Sequence, residues 1–90
     1  MAKDREKIKF AITNELGIVS QSKTGWNIEF NRVMWNDEDP KYDIRKWAPD
    51  HEKAGKGITL TEEELRKLKE LIDVEISLLD ADVYKAGLSK

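Results

Sequence analysis

Between residues 8 and 19 the apolar side chains Ile8, Phe10, Ile12, Leu16 and Ile18 fall on even positions, with Lys9, Thr13 and Glu15 between them. A period of two is the signature of a strand with one face in a core. A strand over 8–19 is longer than most, at ~3.3 Å per residue, so a bend is predicted, with Gly17 as the site of a bulge or break. Residues 20–25 are polar and read as a turn. Trp26, Ile28 and Phe30 then share one parity, and Val33 and Trp35 the other. A bulge near Asn31 and Arg32 puts all five on one face. Residues 36–40, Asn-Asp-Glu-Asp-Pro, form a turn on local chemistry, because Asn and Asp make side-chain turns and Pro cannot continue a ladder. A third strand is predicted over 41–48, with Tyr42 and Ile44 inward and Lys41, Asp43, Arg45 and Trp47 outward. Pro49 ends it, residues 51–57 form a charged connection with two glycines, and Ile58-Thr59-Leu60 supplies a short fourth strand.

Thr61-Glu62-Glu63-Glu64 has the form of a capping box, in which Thr and Glu satisfy each other's free backbone donors at a helix start. Leu65, Leu68, Ile72, Ile76 and Leu79 follow as a helical stripe, widened by Leu71, Val74 and Leu78. That is more apolar surface than one small curved sheet covers, and the spare face suits a twin subunit or another partner helix. Residues 80–90 lose the periodicity and read as a helix extension or a mobile tail. The expected architecture is α+β, a four-stranded antiparallel sheet followed by a C-terminal helix. With 90 residues and no linker or repeat, it is one domain over 1–90, its ordered core over about 8–79.

Composition changes this picture mainly by exclusion. There is no cysteine and only one histidine, so disulfides, thiolate metal sites and Cys nucleophiles are out, and any zinc site would rest on His51 and carboxylates alone. Ser20, Ser22 and His51 sit in no nucleophile-elbow pattern. Gly55-Lys56-Gly57 lacks the spacing of a phosphate loop. Asp37 and Asp39 read as turn formers. No enzyme, metal, cofactor or small-molecule substrate is expected. No apolar run is long enough for a membrane span, and the charged first residues do not begin a signal peptide, so the expected location is the cytoplasm.

Sixteen Lys and Arg stand against eighteen Asp and Glu, a formal charge of −2, so any surface for an anionic polymer must be local. The acids gather in the last third of the chain. On the third strand, Arg45 and Trp47 at i and i+2 share a face. A cation beside an indole is a platform for unstacked bases, since single strands are held by basic grooves and aromatic faces with little regard to sequence. The competing reading of Trp47 is that it packs under a loop or across a dimer seam. Lys23, Arg32, Lys41, Lys46, Lys53 and Lys56 lie in the turns and strands around this pair.

The run from Trp35 through Asp43-Ile44-Arg45-Lys46-Trp47, followed by Gly55-Lys56-Gly57-Ile58-Thr59-Leu60 and an acid-capped helix, resembles the positive cofactor four family of transcriptional coactivators, most of all its compact bacterial members of the YdbC type. The resemblance covers about residues 10–72. It implies a strongly curved four-stranded sheet and helix, paired as a homodimer, binding single-stranded DNA. RNA is a competing ligand, and transcription regulation is the implied role. Arg45 matches the arginine of the family's Asp-Ile-Arg, and Lys56 the basic residue before Gly-Ile. Trp47 stands one position short of the eukaryotic tryptophan. Lys53, Arg32, Lys41 and Trp26 join the expected nucleic-acid contacts by location. The alternative function is a protein-interaction module that uses the apolar face of the helix.

Overall fold

Strands β1 (Phe10–Ser20), β2 (Asn27–Trp35), β3 (Lys41–Trp47) and β4 (Ala54–Leu60) form one antiparallel meander in the order β1-β2-β3-β4, and helix α1 (Glu62–Asp80) follows. The expected α+β architecture is therefore the observed one. The computed structural model describes residues 9–81. Ile8 lies outside the described residues, as does the expected extension or tail over 80–90 beyond residue 81; α1 itself runs to Asp80 and is capped by Ala81.

The bulges are where the ladder tolerates them. β1 pairs with β2 in a register that slips between Ile12 and Asn14, between Glu15 and Gly17, and between Ile18 and Ser20, leaving Thr13, Leu16 and Val19 without partners. The expected irregularity at Gly17 is thus one of a series. The expected bulge at Asn31 and Arg32 is absent: β2 pairs with β3 without interruption from Asn27↔Trp47 to Val33↔Lys41. An extra residue in β2 would break two ladders, whereas one in the edge strand β1 disturbs only one and bends the sheet. Parity along β2 is therefore kept, and Ile28 and Phe30 lie on the opposite face from Val33 and Trp35.

Curvature decides which face is the interior. Trp47 pairs with Asn27 at one end of β2 and Trp35 stands at the other, about 26 Å away along an extended strand. Yet their rings are parallel to within 11° with centroids 6.3 Å apart. The Phe10 ring closes the group at 5.6 Å from Trp35 and 5.2 Å from Trp47. The sheet curls until its ends meet, and its concave face is the core. Val33, Asn31, Asp43, Glu29 and Trp47 are buried there.

The expected third-strand parity is reversed: Asp43 and Trp47 point into the curl, while Ile44 shares the convex side with its register partners Phe30 and Ile58. β4 is also longer than expected, because Gly57 pairs with Arg45 and Ala54 with Trp47 across a register slip that leaves Gly55 and Lys56 between them without ladder partners. A Cβ on Gly57 would collide with the Cβ of Arg45 and the carbonyl oxygen of Ile44, so only glycine lets β3 and β4 approach.

α1 begins as expected. The Thr61 hydroxyl accepts from the Glu64 amide at 3.1 Å, and the Glu64 carboxylate accepts from the Thr61 amide at 2.8 Å. The helix leans on β3 and β4 across the convex face but buries none of its residues. Leu71, Ile72, Val74, Ile76 and Leu79 are exposed, as are Leu16, Ile18, Val19 and Ile58 on the sheet. No helix among the described residues is long and apolar enough to cross a membrane.

Candidate nucleic-acid interface

The concave face holds a buried polar network among its aromatic rings, although the indole N–H groups of Trp35 and Trp47 are buried there without a hydrogen-bond partner. Arg45 donates from Nε to Asp43 Oδ1 at 2.6 Å and from Nη2 to Asp43 Oδ2 at 2.8 Å. Its other donors reach the Gly55 carbonyl at 3.1 Å and Thr59 Oγ1 at 3.3 Å. The guanidinium carbon lies 4.8 Å from the centre of the Trp35 ring, and the Thr59 hydroxyl donates to Asp43 at 2.9 Å. Four of the five guanidinium N–H groups are engaged.

Trp47, expected to stand open as the stacking aromatic, is 0% exposed. An indole sealed inside cannot receive a base, so the structure corrects the open Arg45 and Trp47 platform. The physical reason is that burying the largest side chain of the strand outweighs leaving it wet, and Asp43 neutralises Arg45 so that both can follow it inward. The competing reading, a tryptophan under a loop, describes what is seen: the His51 ring of the β3–β4 connection lies 5.9 Å from it.

The convex face has different chemistry. Its strand positions on β2–β4 carry Arg32, Lys46 and Lys56 among apolar residues and no carboxylate, since both acids of these strands, Glu29 and Asp43, are buried on the other side. Ile28, Ile44, Arg45, Lys46 and Lys56 line a cleft of about 470 Å³. Half-buried Trp26 lies close to Lys46 across Gly55, where an added Cβ would stand 3.5 Å from Trp26 Cζ3 and 3.1 Å from Lys46 Cβ. Exposed Lys53 is three residues ahead of Lys56 on the segment entering β4.

The structure thus brings Lys56 beside Lys46 and one flank of Arg45, with Trp26 near Lys46 and Lys53 on the segment that leads into β4. Arg32 and Lys41 are not in this group. They stand at the far end of the hairpin, with the Arg32 guanidinium 5.6 Å from the Tyr42 ring centre and Lys41 paired with Val33. Lys46 is the residue that strand parity obscured. Turning Arg45 and Trp47 outward assigns Lys46 to the covered side, and its signal returns only once the faces are exchanged.

Ion pairing separates the two halves of the protein. Seven acids face three bases within α1, and each of those bases is paired: Arg66 with Glu62, Lys67 with Glu70 and Lys69 with Asp73. The hydrogen bond and charge of Asp73 raise the Lys69 ammonium above its ordinary value. On the strands, Arg32, Lys41, Lys46 and Lys56, and in the connections beside them Lys23 and Lys53, have no carboxylate within ion-pair distance among the described residues. Net acidity therefore resides in the helix and turns, and the free positive charge lies on and beside the strands. Among the described residues no group of three or more His, Asp and Glu side chains could hold a metal ion.

The amino-acid sequence that builds this sheet and helix, with its Asp-Ile-Arg on β3 and Lys-Gly-Ile-Thr-Leu on the neighbouring β4, matches the family model of the Transcriptional Coactivator p15 (PC4) over residues 22–71. The chain belongs to the PC4 family. An uncharacterized protein of Treponema pallidum (strain Nichols) is 42% identical over 64 residues, which cover 71% of this chain and 75% of the relative. The PC4 match takes in β2, β3, β4 and the first half of α1. The cleft residues and the Asp43–Arg45 network all fall inside it, and the bulged edge strand β1 lies before it.

Proposed function

We propose that this PC4 family member is a cytoplasmic single-stranded-DNA-binding homodimer of the transcriptional-coactivator type, with the cleft of Lys46, Lys56 and Trp26 on the convex face as its contact surface. The observation that carries this reading is the set of unpaired cations on a strand surface without carboxylates. Lys46, Lys56 and Lys53 hold phosphates and release their counterions, and Trp26 and the apolar floor of Ile28 and Ile44 accept a base. Such contacts carry little base identity, so single strands are preferred over duplex with weak sequence preference, and RNA competes. Arg32 and Lys41 extend the cationic track toward the far end of the hairpin. Arg45 acts by shaping the wall of the cleft.

Affinity for an oligo-thymidine, followed by fluorescence anisotropy at several salt concentrations, tests this. Changing both Lys46→Ala and Lys56→Ala should flatten the slope of log affinity against log salt by about 1.4, or 0.7 for each phosphate no longer neutralised. Trp26→Ala should cost about 1–3 kcal/mol for one stacked base. A double lysine variant with the parent's affinity and slope would remove the cleft from the interface.

The homodimer rests on the exposed apolar face of α1 and on the groove of about 260 Å³ between helix and sheet lined by Val19, Phe30, Ile44, Leu65, Leu68, Lys69 and Ile72. That same stripe is what favours the second reading, an adaptor for another protein. Light scattering distinguishes them: a dimer mass that falls to a monomer mass in Ile76→Glu supports self-association, whereas a parent that is already monomeric supports the adaptor.

A further inference from the structure

The connection between β3 and β4 is held at two points by neighbouring residues of the sheet. His51 sits in the left-handed region at φ 63°, a conformation uncommon outside glycine that persists where surrounding contacts enforce it. Its Nε2 stands 2.9 Å and 3.0 Å from the two oxygens of Glu29, so with an ionised carboxylate Nε2 is the donor. Glu29 is 6% exposed and takes a second hydrogen bond, at 3.0 Å, from Asn31 Nδ2. The register partner of Glu29 is Arg45, and Arg45 Nη1 holds the Gly55 carbonyl at the other end of the same segment. Between these anchors, the Ala48 amide donates to the Lys53 carbonyl at 3.0 Å. Two adjacent residues on β2 and β3 therefore clamp residues 51–55, and Lys53 and Lys56 are carried on and immediately after that segment.

We propose that His51, latched to Glu29, is a positioning residue for the nucleic-acid cleft: it fixes the segment that presents Lys53 and Lys56 beside Trp26 and Lys46. This inference rests on the single-strand reading above. A mobile segment would have to be ordered by the ligand, which lowers affinity, whereas a latched one presents its charges already placed.

The test uses the full chain with His51→Gly, which removes the imidazole and suits the positive φ, and with Glu29→Gln, which keeps the shape of the acceptor without its charge. The probe is oligo-thymidine lacking terminal phosphates. His51→Gly should fold and should bind about three- to tenfold more weakly. Its salt slope should be flatter by about 0.7–1.4, the equivalent of one or two phosphates, a change that simple loss of stability does not produce. Glu29→Gln should weaken binding in the same direction, and the double variant should be no worse than the poorer single one, since both act through one contact. Hydrogen exchange at the Ala48 amide reads the latch without DNA and should accelerate in His51→Gly. Parent affinity and slope in a folded His51→Gly protein would overturn the proposal, as would an unchanged Ala48 exchange rate. A parent that does not bind oligo-thymidine would instead overturn the single-strand reading, and the Ala48 exchange would still report whether the latch exists.

Discussion

Trp47→Ala lowers the stability of the fold by about 3–5 kcal/mol, the range for deleting a large aromatic from a core. Domains of this kind have only about 5–15 kcal/mol in total, so the variant is expected to keep only part of that and to unfold at a clearly lower urea concentration. The loss follows from position: Trp47 lies where the two ends of the curled sheet meet, against Phe10, Trp35 and His51. Urea denaturation followed by circular dichroism measures it. Trp47→Phe, which keeps a ring in the same place, should cost clearly less. A Trp47→Ala protein as stable as the parent but deficient in oligonucleotide binding would restore the indole to the ligand surface and contradict the buried position.

Asp43→Ala is expected to have a comparable effect, about 3–5 kcal/mol, because it leaves the Arg45 guanidinium mostly buried without its counter-charge. The Arg45 side chain is 14% exposed and that of Asp43 fully buried, so water cannot replace the carboxylate. The size of the loss reflects the stranded charge more than the worth of the pair. Asp43→Asn combined with Arg45→Met, which removes both charges, should therefore recover part of the stability lost in Asp43→Asn alone. Thermal melts of the three variants decide the matter. If the double variant melts no higher than Asp43→Asn, the stranded charge is not the cause.

These two residues also show how far a linear reading reaches. The strands, the turn over 36–40 and the capped helix were legible because each rests on local chemistry. The turn at Asn36 and Asp37 adopts φ 52° and 68° and is closed by the Glu38 amide on the Trp35 carbonyl at 2.9 Å, which Asn and Asp tolerate better than most residues. The Thr61 and Glu64 capping box is equally local. The site was legible only as an inventory. Of the residues expected at the interface, Lys56 lines the cleft and Trp26 lies near it, while Arg45 and Trp47 were expected on the wrong face.

Alternation along β3 established that Asp43, Arg45 and Trp47 share a side, but not whether that side is wet. Tyr42 and Ile44 looked like the inward pair because charged residues are rarely buried without partners. The partners exist at a distance in sequence: Thr59 and the Gly55 carbonyl for Arg45, and His51 and Asn31 for Glu29. Likewise, the expected bulge in β2 came from requiring its apolar residues to share a face, a requirement that disappears once Glu29 and Asn31 can be buried with hydrogen bonds.

The sequence by itself determined the order of elements, the turn, the helix start, the surplus apolar stripe on α1 and the family. All of these are written in neighbouring residues through period, capping and motif. Only the tertiary structure decided which side of the sheet is the interior, and with it that Lys46, and not Trp47, borders the open cleft. Curvature is the reason. It goes with register slips in both edge ladders, β1–β2 and β3–β4, which bend a sheet, and it brings Trp35 to Trp47 and Arg45 across the concave face, contacts between residues that no local pattern relates.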